Sequence, residues 1–214
     1  MKKLIKKLNQ SPQNGSGLLA IFCDLSDIDR IDFYPWLIED MFPDRLSIGF
    51  KNCASYKLIA GDGSQFLTMY EVPSLGYLYD IPYQKLRENR TLRDANFHKK
   101  FKNPERYTLV WAGPEISRED SNFEQYLIIK RFNISKTNIA LFNTWYMSEY
   151  IPHLINNNLF LPTRRYICIE GNHNNFIIHD TSNLQTASMV KLHIPREILN
   201  DQISGTYELV IKRP

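Results

Sequence analysis

The chain has 214 residues, 43% hydrophobic and 23% charged, which is the balance of an ordinary globular protein with a substantial core to bury. Its formal net charge of +3 is smaller than the charge of the four lysines in the leader MKKLIKKLNQ, so the rest of the chain has no basic character that would predict nucleic-acid binding. The apolar run nearest the leader, LLAIFC, has the length of a strand and is too short for a membrane span or a secretory signal.

The cysteines indicate a reducing compartment. Cys23, Cys53 and Cys168 are an odd set without CxxC spacing, and two of them fall in apolar, strand-like runs. Such a set is typical of reduced and mostly buried thiols rather than of disulfides. We therefore expect a cytoplasmic protein with neither a membrane nor a nucleic acid as its partner.

The first predicted elements follow a polar segment. Residues 1–16 form a basic leader that runs into NQSPQNGSG, whose glycine, proline and polar content predicts a flexible chain. LLAIFCDL then predicts a strand, and SDID has the form of a capping box in which Ser26 begins a helix that extends to Pro43. Pro35 leaves two alternatives, because either Asp32 is the true cap or the helix kinks at the proline.

A hairpin, a helix and a strand complete the first half. Residues 50–72 contain two strand-like runs around GDG, which is a hairpin signal. Residues 74–89 predict a helix of weaker periodicity that Pro82 interrupts, and residues 106–113 predict a fourth strand. The predicted order is therefore β-α-β-β-α-β.

The second half repeats this order. A strand is followed by a long helix with Ser135 as its cap, a hairpin around GNHN, a short helix and a closing strand. These elements are predicted over residues 124–132, 134–155, 164–180, 182–190 and 206–213.

Constant offsets relate the two halves. The pairs Phe33 and Phe142, Trp36 and Trp145, and Pro43 and Pro152 are each 109 residues apart, whereas Tyr56 and Tyr166, and Phe66 and Phe176, are 110 apart. This near-constant register implies an internal duplication, with repeats over residues 17–116 and 123–214 joined by a linker over residues 117–122.

The strands predict how the repeats are arranged. Apolar residues occur on both faces of runs such as LLAIFC and FLTMYEV, whereas a sheet with one wet face would alternate more cleanly. Each sheet is therefore expected to be covered by its own helices on one face and by the other sheet on the opposite face. The fold class is α+β: two ferredoxin-like βαββαβ repeats whose antiparallel sheets face each other as a barrel within one chain. A monomer is expected, although a dimer remains possible.

The helix end WLIEDMFPDRL is followed by Gly49-Phe50, a strand that bears Tyr56, and a strand that ends in Tyr70-Glu71. On these residues the first half resembles the EthD-like branch of the dimeric α+β barrel superfamily, whose members share a helix end of the type W-x-x-E-E-H-x-P-E-R-L followed by Gly-Phe, an aromatic-bearing strand and a Tyr-Glu strand. The resemblance covers most of residues 17–113 well and residues 123–214 faintly. The superfamily includes cofactor-free oxygenases, lactone isomerases, polyketide cyclases and haem enzymes, and usually two chains supply the two sheets. The matching residues are Trp36, Glu39, Asp40, Pro43, Asp44, Arg45, Leu46, Gly49, Phe50, Tyr56, Tyr70 and Glu71, and, in the second half, Trp145, Glu149, Pro152, Tyr166 and Phe176.

The chain departs from this pattern at one position. The histidine that family members often carry two residues before the proline is Met41 in the first half and Tyr150 in the second. The sequence therefore does not predict acid–base or ligand chemistry that depends on that histidine.

The candidate site residues divide into a catalytic pair and a cleft. His179, at the end of an apolar strand beside Asp180, is a candidate for a carboxylate-oriented base near the barrel mouth, with Tyr150 as its partner. Aromatic side chains between helix and sheet can wall a cleft for a flat ligand, although such residues also serve as core. The predicted cleft residues are Trp36, Met41, Tyr56, Tyr70, Trp145 and Tyr166.

Other motifs carry no chemistry. Glu39 and Asp40 are adjacent and so cannot face each other as an acid pair; one is expected in solvent and the other beside a basic residue such as Arg45. No HxH or HxxxH pair predicts a metal site, no glycine-rich loop predicts a nucleotide, and no histidine stands out as an axial haem ligand. No cofactor is expected.

Two functions fit these observations. The first is a cofactor-independent enzyme, of oxygenase, isomerase or cyclase type, that acts on a small apolar or aromatic molecule. The alternative is a non-catalytic ligand-binding or structural barrel that has lost the family's helix-end histidine. An enclosed cavity lined by His179, Tyr150 or Tyr56 favours the enzyme, whereas a barrel filled with side chains counts against it.

Overall fold

The computed structural model describes residues 8–118, 122–156, 161–189 and 194–214. The strands in these ranges are β1 (Leu8–Asn9), β2 (Gly17–Asp24), β3 (Asn52–Gly61), β4 (Phe66–Val72), β5 (Lys102–Trp111), β6 (Glu115–Ile116), β7 (Tyr126–Ile134), β8 (Thr163–Glu170), β9 (Asn175–Thr181) and β10 (Leu199–Arg213). The α-helices are α1 (Asp27–Trp36), α2 (Phe42–Ser47), α3 (Ile81–Glu88), α4 (Leu92–His98), α5 (Ile139–Trp145), α6 (Ile151–Asn156) and α7 (Leu184–Met189). Two π turns (Leu37–Met41 and Tyr146–Tyr150) and two 3₁₀ turns (Leu75–Leu78 and Lys136–Asn138) complete the set.

Eight strands close into an antiparallel barrel. Their order around the barrel is β8-β5-β2-β4-β3-β10-β7-β9, and the pairing of β8 with β9 closes the circle. If the four barrel strands of each half are numbered along the chain, their order in the sheet is 4-1-3-2 in both halves. The halves meet at two seams, where β5 pairs with β8 and where the 15-residue strand β10 pairs with both β7 and β3. Closure leaves no open edge between the sheets, as the two-sided burial of the strands predicts.

The middle of the barrel is packed with apolar side chains. An eight-stranded barrel is just wide enough for side chains to fill, and here seven of the core residues are aromatic. We find a core at this position and not a channel. Its members are Leu18, Ala20, Phe22, Ala54, Tyr56, Leu67, Met69, Tyr107, Leu109, Phe123, Leu127, Ile129, Tyr166, Phe176, Ile178 and Tyr207.

A buried ion network closes one end of the barrel. The carboxylate of Glu71, on β4, accepts hydrogen bonds from Arg164 on β8 (2.7 Å) and from Arg118 (3.0 Å). Arg164 also donates two bonds to Asp180 on β9, at 2.8 and 2.9 Å. All four side chains are buried, so each charge depends on its partners for stabilisation.

The opposite end is closed by a second polar cluster. Arg131, on β7, pairs with Glu105 and lies over the ring of Phe22 at 4.1 Å. The hydroxyl of Tyr107 lies 2.9 Å from Glu105 and 2.9 Å from Nδ1 of His173. The apolar core is therefore enclosed between two charged layers.

Helices cover the outer face of each sheet. In the first half, α1, the π turn, α2 and α4 lay an aromatic-rich apolar stripe over β2, β3 and β4. In the second half, α5, the second π turn and α6 cover β7, β8 and β9. None of the helices in the described ranges is long and apolar enough to cross a bilayer.

The first half confirms the predicted cap of its first helix and differs from its prediction in two other details. Ser26 caps α1 by accepting from Asp29 N–H, so Asp32 is not the cap, and the helix continues through Pro35. Pro82 lies in the first turn of α3, where proline is tolerated, rather than interrupting a longer helix, and Asp80 caps the helix. Helix α4, which Thr91 caps, was not predicted.

Part of the leader packs against the barrel. Residues 1–7 lie outside the described ranges, but β1 pairs with β6, and Gln13 N–H donates to Glu115 Oε1 at 3.0 Å. Asn14 donates to Glu71 Oε2 at 2.7 Å, which joins the leader to the buried ion network. The composition of this segment predicts a flexible chain. The prediction misses the packing because the hydrogen-bond acceptors lie far away in the sequence.

The register corrects one predicted repeat pair. Tyr56 pairs with Leu67 across β3 and β4, and Tyr166 pairs with Phe176 across β8 and β9. Leu67, and not Phe66, therefore corresponds to Phe176. Phe66 faces the helices, whereas Phe176 faces the barrel core.

The ion network yields a stability prediction. Arg164→Met removes the cation that links Glu71 to Asp180, so we expect the free energy of unfolding to fall by about 3–5 kcal/mol, the usual result of breaking a buried pair. Denaturant unfolding of the full chain measures this change. Glu208→Gln breaks an exposed pair with Lys57 (2.9 Å) and serves as the control, with an expected loss below about 1 kcal/mol. Similar losses in both variants would contradict the role given to Arg164.

Candidate functional site

Equivalent π turns lie above both sheets. Leu37–Met41 and Tyr146–Tyr150 are 109 residues apart, and each ends in a buried side chain at the position of the family's histidine. A π turn inserts an extra residue into a helix, which redirects the following side chains and often occurs at functional sites. The two turns therefore mark matching places at which the halves can be compared.

The second-half turn begins a chain of hydrogen bonds. The Tyr150 hydroxyl lies 2.7 Å from Nε2 of His179, and Nδ1 of His179 lies 2.8 Å from Oγ1 of Thr163. Thr163 donates its own proton to the carbonyl of Leu161 at 2.8 Å, so its oxygen accepts from His179. His179 is therefore the tautomer that carries its proton on Nδ1, and Nε2 accepts from Tyr150.

Burial holds this chain in an uncharged state. Desolvation, with the positive charge of Lys130 as a smaller cause, lowers the pKa of His179 from 6.5 to about 3. Burial also raises the pKa of Tyr150 well above its usual 10. Because the two pKa values move apart, the shared proton stays on Tyr150 at neutral pH.

His179 is not oriented by a carboxylate, contrary to the prediction. Asp180 follows it directly in β9, and successive residues of a strand face opposite sides of the sheet. Asp180 therefore faces the barrel interior and binds Arg164, while His179 faces the helices. Thr163 orients the His179 ring instead. The residues next to His179 in the sequence could not predict this, because Thr163 lies on a different strand.

Strand register shows how the outer faces of the two sheets differ. In the second half Ile177 pairs with Arg165 and Lys130, whereas in the first half Thr68 pairs with Ser55 and Ile21 at the same places in the ladder. His179 pairs with Thr163 where Tyr70 pairs with Cys53. We use the name polar layer for the second-half set Lys130, Tyr146, Tyr150, Thr163, Arg165 and His179.

Most of the polar layer was missed by sequence reasoning. Lys130 and Arg165 interrupt otherwise apolar strands, in YLIIKRF and RRYICIE, and both are buried. A cation on the apolar side of a strand is a usable signal, since lysine and arginine are rarely buried without a reason. Burial lowers the pKa of Lys130 from 10.5 to about 8.

The predicted cleft residues of the first half pack against neighbouring side chains. Trp36 stacks on Phe97 at 4.5 Å with the ring planes 8° apart. Trp36, Met41 and Tyr70 border a void of only about 10 Å³, the space of roughly one water molecule. This helix–sheet layer is therefore filled by its own side chains.

The remaining predicted residues lie in two other places. Tyr56 and Tyr166 belong to the barrel core, where the Tyr56 hydroxyl donates to the carbonyl of Glu124 at 3.0 Å. Trp145 lies in the second half and stacks on Tyr150 at 5.1 Å. The predicted residues thus fall into three compartments, and the predicted catalytic pair, Tyr150 and His179, shares its compartment with Trp145.

Glu39 and Asp40 also differ from their prediction. Both carboxylates lie near Arg93 on α4, at 2.7 and 2.8 Å, and neither has an ion pair with Arg45. This ion cluster fastens α4 to the π turn above the first sheet. Because α4 was not predicted, its arginine could not be considered as a partner.

An open groove lies at the surface of the first half. It has a volume of about 380 Å³ and runs between α1 and the ends of β3 and β4. Arg30 crosses it, donating to Gln65 Oε1 at 2.9 Å. The lining residues are Arg30, Tyr34, Lys57, Leu58, Gln65 and Phe66.

The described residues contain no group of three or more His, Cys, Asp or Glu side chains placed to hold a metal ion. Both ring nitrogens of His179 are already engaged in hydrogen bonds, so this buried histidine has no free lone pair for a ligand.

Comparison with known proteins reveals shared structure without a close relative. No protein-family model and no curated protein matches the chain. An anthrone oxidase-like protein has a TM-score of 0.67 at 11% sequence identity, over 96% of this chain and 95% of that one. A protein from Lactobacillus acidophilus NCFM, provisionally classed as a monooxygenase, has a TM-score of 0.55 at 9% identity, over 91% and 94% of the two chains.

A chlorite dismutase from Candidatus Nitrospira defluvii, in complex with imidazole, has a TM-score of 0.54 at 10% identity, over 97% of this chain and 94% of that one. At such identities the likeness shows the fold alone, a closed eight-stranded antiparallel barrel with helices on its outer face. The similarity extends over nearly the whole length of every chain compared, so it includes both halves of the barrel.

The His179 chain predicts a pH dependence. The folded-state pKa of about 3 lies below the unfolded value of about 6.5, so the stability that neutral His179 contributes is complete above pH 6.5 and is lost as pH falls from 6.5 toward 3. We expect the His179 ring to remain neutral at pH 5 by nitrogen NMR. Unfolding of wild type and His179→Gln at pH 7 and pH 4 should show a smaller loss in the variant. Exposed His153→Gln is the control, and protonation of His179 near pH 6 would contradict the prediction.

Proposed function

We propose that the chain is an α+β barrel enzyme that acts on a small apolar or aromatic molecule in the helix–sheet layer of its second half, without a tightly bound metal or nucleotide. The observation that carries the proposal is the chain from Tyr150 through His179 to Thr163. The first half has Met41, Tyr70 and Cys53 at the corresponding places and cannot form it. The proposed reaction class is proton abstraction, of the kind that cofactor-independent oxygenases, isomerases and cyclases use.

The chemistry follows from the direction of the hydrogen bonds. A ligand proton that reaches the Tyr150 oxygen can be taken up as the phenol proton moves to Nε2 of His179, while Thr163 keeps Nδ1–H in place. Tyr150 is then the catalytic residue, and His179 is a positioning residue that acts through it. Because burial lowers the pKa of His179, the imidazolium forms only with the ligand's carbanion beside it as counter-ion, and it then returns the proton to the product.

The fold comparisons support a site for a small molecule. The printed names of similar structures include an anthrone oxidase-like protein and a chlorite dismutase, both proteins named for small molecules. Trp145 stacked on Tyr150 offers an aromatic face beside the hydroxyl, which suits a flat ligand. These points favour the place of the site and the class of ligand, not a particular substrate.

A non-catalytic barrel is the second candidate. The barrel core is filled, the first-half layer has a void of only about 10 Å³, and Tyr150 and His179 satisfy each other's hydrogen bonds. These observations favour a protein that binds a ligand or a partner without changing it. The two candidates differ in whether a bound ligand loses a proton.

We also propose that the halves are tandem ferredoxin-like copies of an EthD-like ancestor, over residues 17–116 and 123–214, with residues 117–122 as the linker. The shared strand order and the π turns 109 residues apart support this duplication. One chain then supplies both sheets, and we expect a monomer by light scattering. Free thiols at Cys23, Cys53 and Cys168 favour a cytoplasmic location.

Anthrone, an aromatic ketone with an acidic CH₂ group, is a suitable probe of the proposed activity. We expect saturable binding, together with faster exchange of the CH₂ hydrogens for deuterium. In air we expect O₂ uptake as CH₂ becomes C=O and water is released. Tyr150→Phe removes the hydroxyl that takes up the proton, so both rates should fall by about 100-fold or more.

Met41→Leu, at the corresponding place in the first half, is the matched control and should leave the rates unchanged. Binding without exchange would support the non-catalytic candidate. Absence of binding, or equal loss in the two variants, would overturn the proposed site.

A further inference from the structure

Two consecutive arginines lie in opposite environments. Arg164 faces the barrel interior and is bound by the carboxylates of Glu71 and Asp180. Arg165 faces the helices and is only 6% exposed, yet no carboxylate of the described residues forms an ion pair with it. A buried cation without an anion is costly, so its presence needs an explanation.

The contacts of Arg165 leave the Nε–H of its guanidinium without a hydrogen-bond partner. Nη1 donates to Asn143 Oδ1 at 2.7 Å, and the group lies over the rings of Phe142 (4.7 Å) and Tyr146 (5.4 Å). Nε is buried and meets no acceptor within the described part of the chain. The Tyr146 hydroxyl beside it is also buried and lacks a hydrogen-bond partner there. Two orphaned polar groups thus lie together in the polar layer.

Packing alone does not account for this arrangement. Stacking on Phe142 and Tyr146 needs no charge, and an apolar side chain of similar length would fill the space without a desolvation cost. The corresponding first-half residues are Ser55 and Leu37, which shows that the fold needs neither the guanidinium nor the phenol. Burial also lowers the pKa of Arg165, which indicates that the charge is poorly compensated in the free protein.

We infer that Arg165 and Tyr146 form an anion-binding subsite, and that the ligand of the second half is an aromatic or apolar molecule that carries a carboxylate. The open Nε edge of a guanidinium presents parallel N–H groups that match the two oxygens of a carboxylate. The Tyr146 hydroxyl can donate a further bond to the same group. The inference rests on the proposed site beside Tyr150, whose ring centroid lies 5.6 Å from that of Tyr146, and it adds the substrate class.

Two probes of the same shape test the inference on the full chain. Isothermal titration with 2-naphthoate and with 2-naphthamide compares a carboxylate with its neutral counterpart. We expect the carboxylate to bind about 10- to 100-fold more tightly, the range of charge-assisted hydrogen bonds. Arg165→Met should abolish this preference while retaining amide binding, and Tyr146→Phe should reduce it several-fold.

Thermal unfolding separates loss of recognition from loss of fold. Arg165→Met removes an uncompensated buried charge, so its melting temperature should equal or exceed that of wild type, in contrast to Arg164→Met. Exposed Arg93→Met is the control for charge and should retain the wild-type preference. A clear fall in melting temperature for Arg165→Met would indicate a structural role and overturn the inference.

The outcomes distinguish the inference from the proposed function. Equal affinity for the two naphthalene probes, or an unchanged preference in Arg165→Met, overturns the anion subsite while anthrone binding still supports the proposed site. Failure of anthrone and both naphthalene probes to bind overturns the proposed site and the subsite together.

Discussion

The carboxylate of Glu71 is the point on which the closed barrel depends. It is buried and receives Arg164 from the second half, Arg118 from the segment after β6, and the amides of Asn14 and Asn52. An unpaired carboxylate at this depth would be strongly unfavourable, so these elements must assemble together if any of them is to be stable. The network thereby ties the leader and both sheets at one end of the barrel. Between this network and the opposite polar cluster, the barrel interior is filled by apolar packing.

Two outer layers remain, and the chain treats them differently. The first-half layer is a stacked aromatic core around Trp36 and Phe97, with no space for a ligand. The second-half layer holds the Arg165 guanidinium and the Tyr146 hydroxyl, whose Nε and hydroxyl oxygen are buried without a hydrogen-bond partner among the described residues, and such groups reduce stability. Natural proteins often retain such unfavourable groups where function needs them. In this chain the first-half layer stabilises the fold, so the second-half layer can hold groups that reduce stability.

The sequence predicted the barrel from local signals. Hairpin turns, apolar residues on both faces of the strands and a constant offset between the halves are visible in the sequence, and they led to the closed barrel that the structure has. Contacts between distant strands were beyond this reasoning. His179 contacts Thr163, and Asp180 points to the other side of the sheet. Both facts depend on which face of a strand each residue takes, and the sequence of a strand buried on both faces does not show this. Helix α4 was missed because its seven residues carry little periodicity, and with it the partner of Glu39.

Strand β10 has a consequence for how the molecule is made. Its 15 residues pair first with β7 and then with β3, so it belongs to both sheets at once. Until this strand has been synthesised, β3 has an unpaired edge on an otherwise complete first sheet, and such edges are where chains pair wrongly with one another. A nascent chain that still lacks β10 therefore exposes this strand edge, at which it can pair with other chains. Cells would have to shelter that stage, and a tag or fusion that hinders β10 would prolong it.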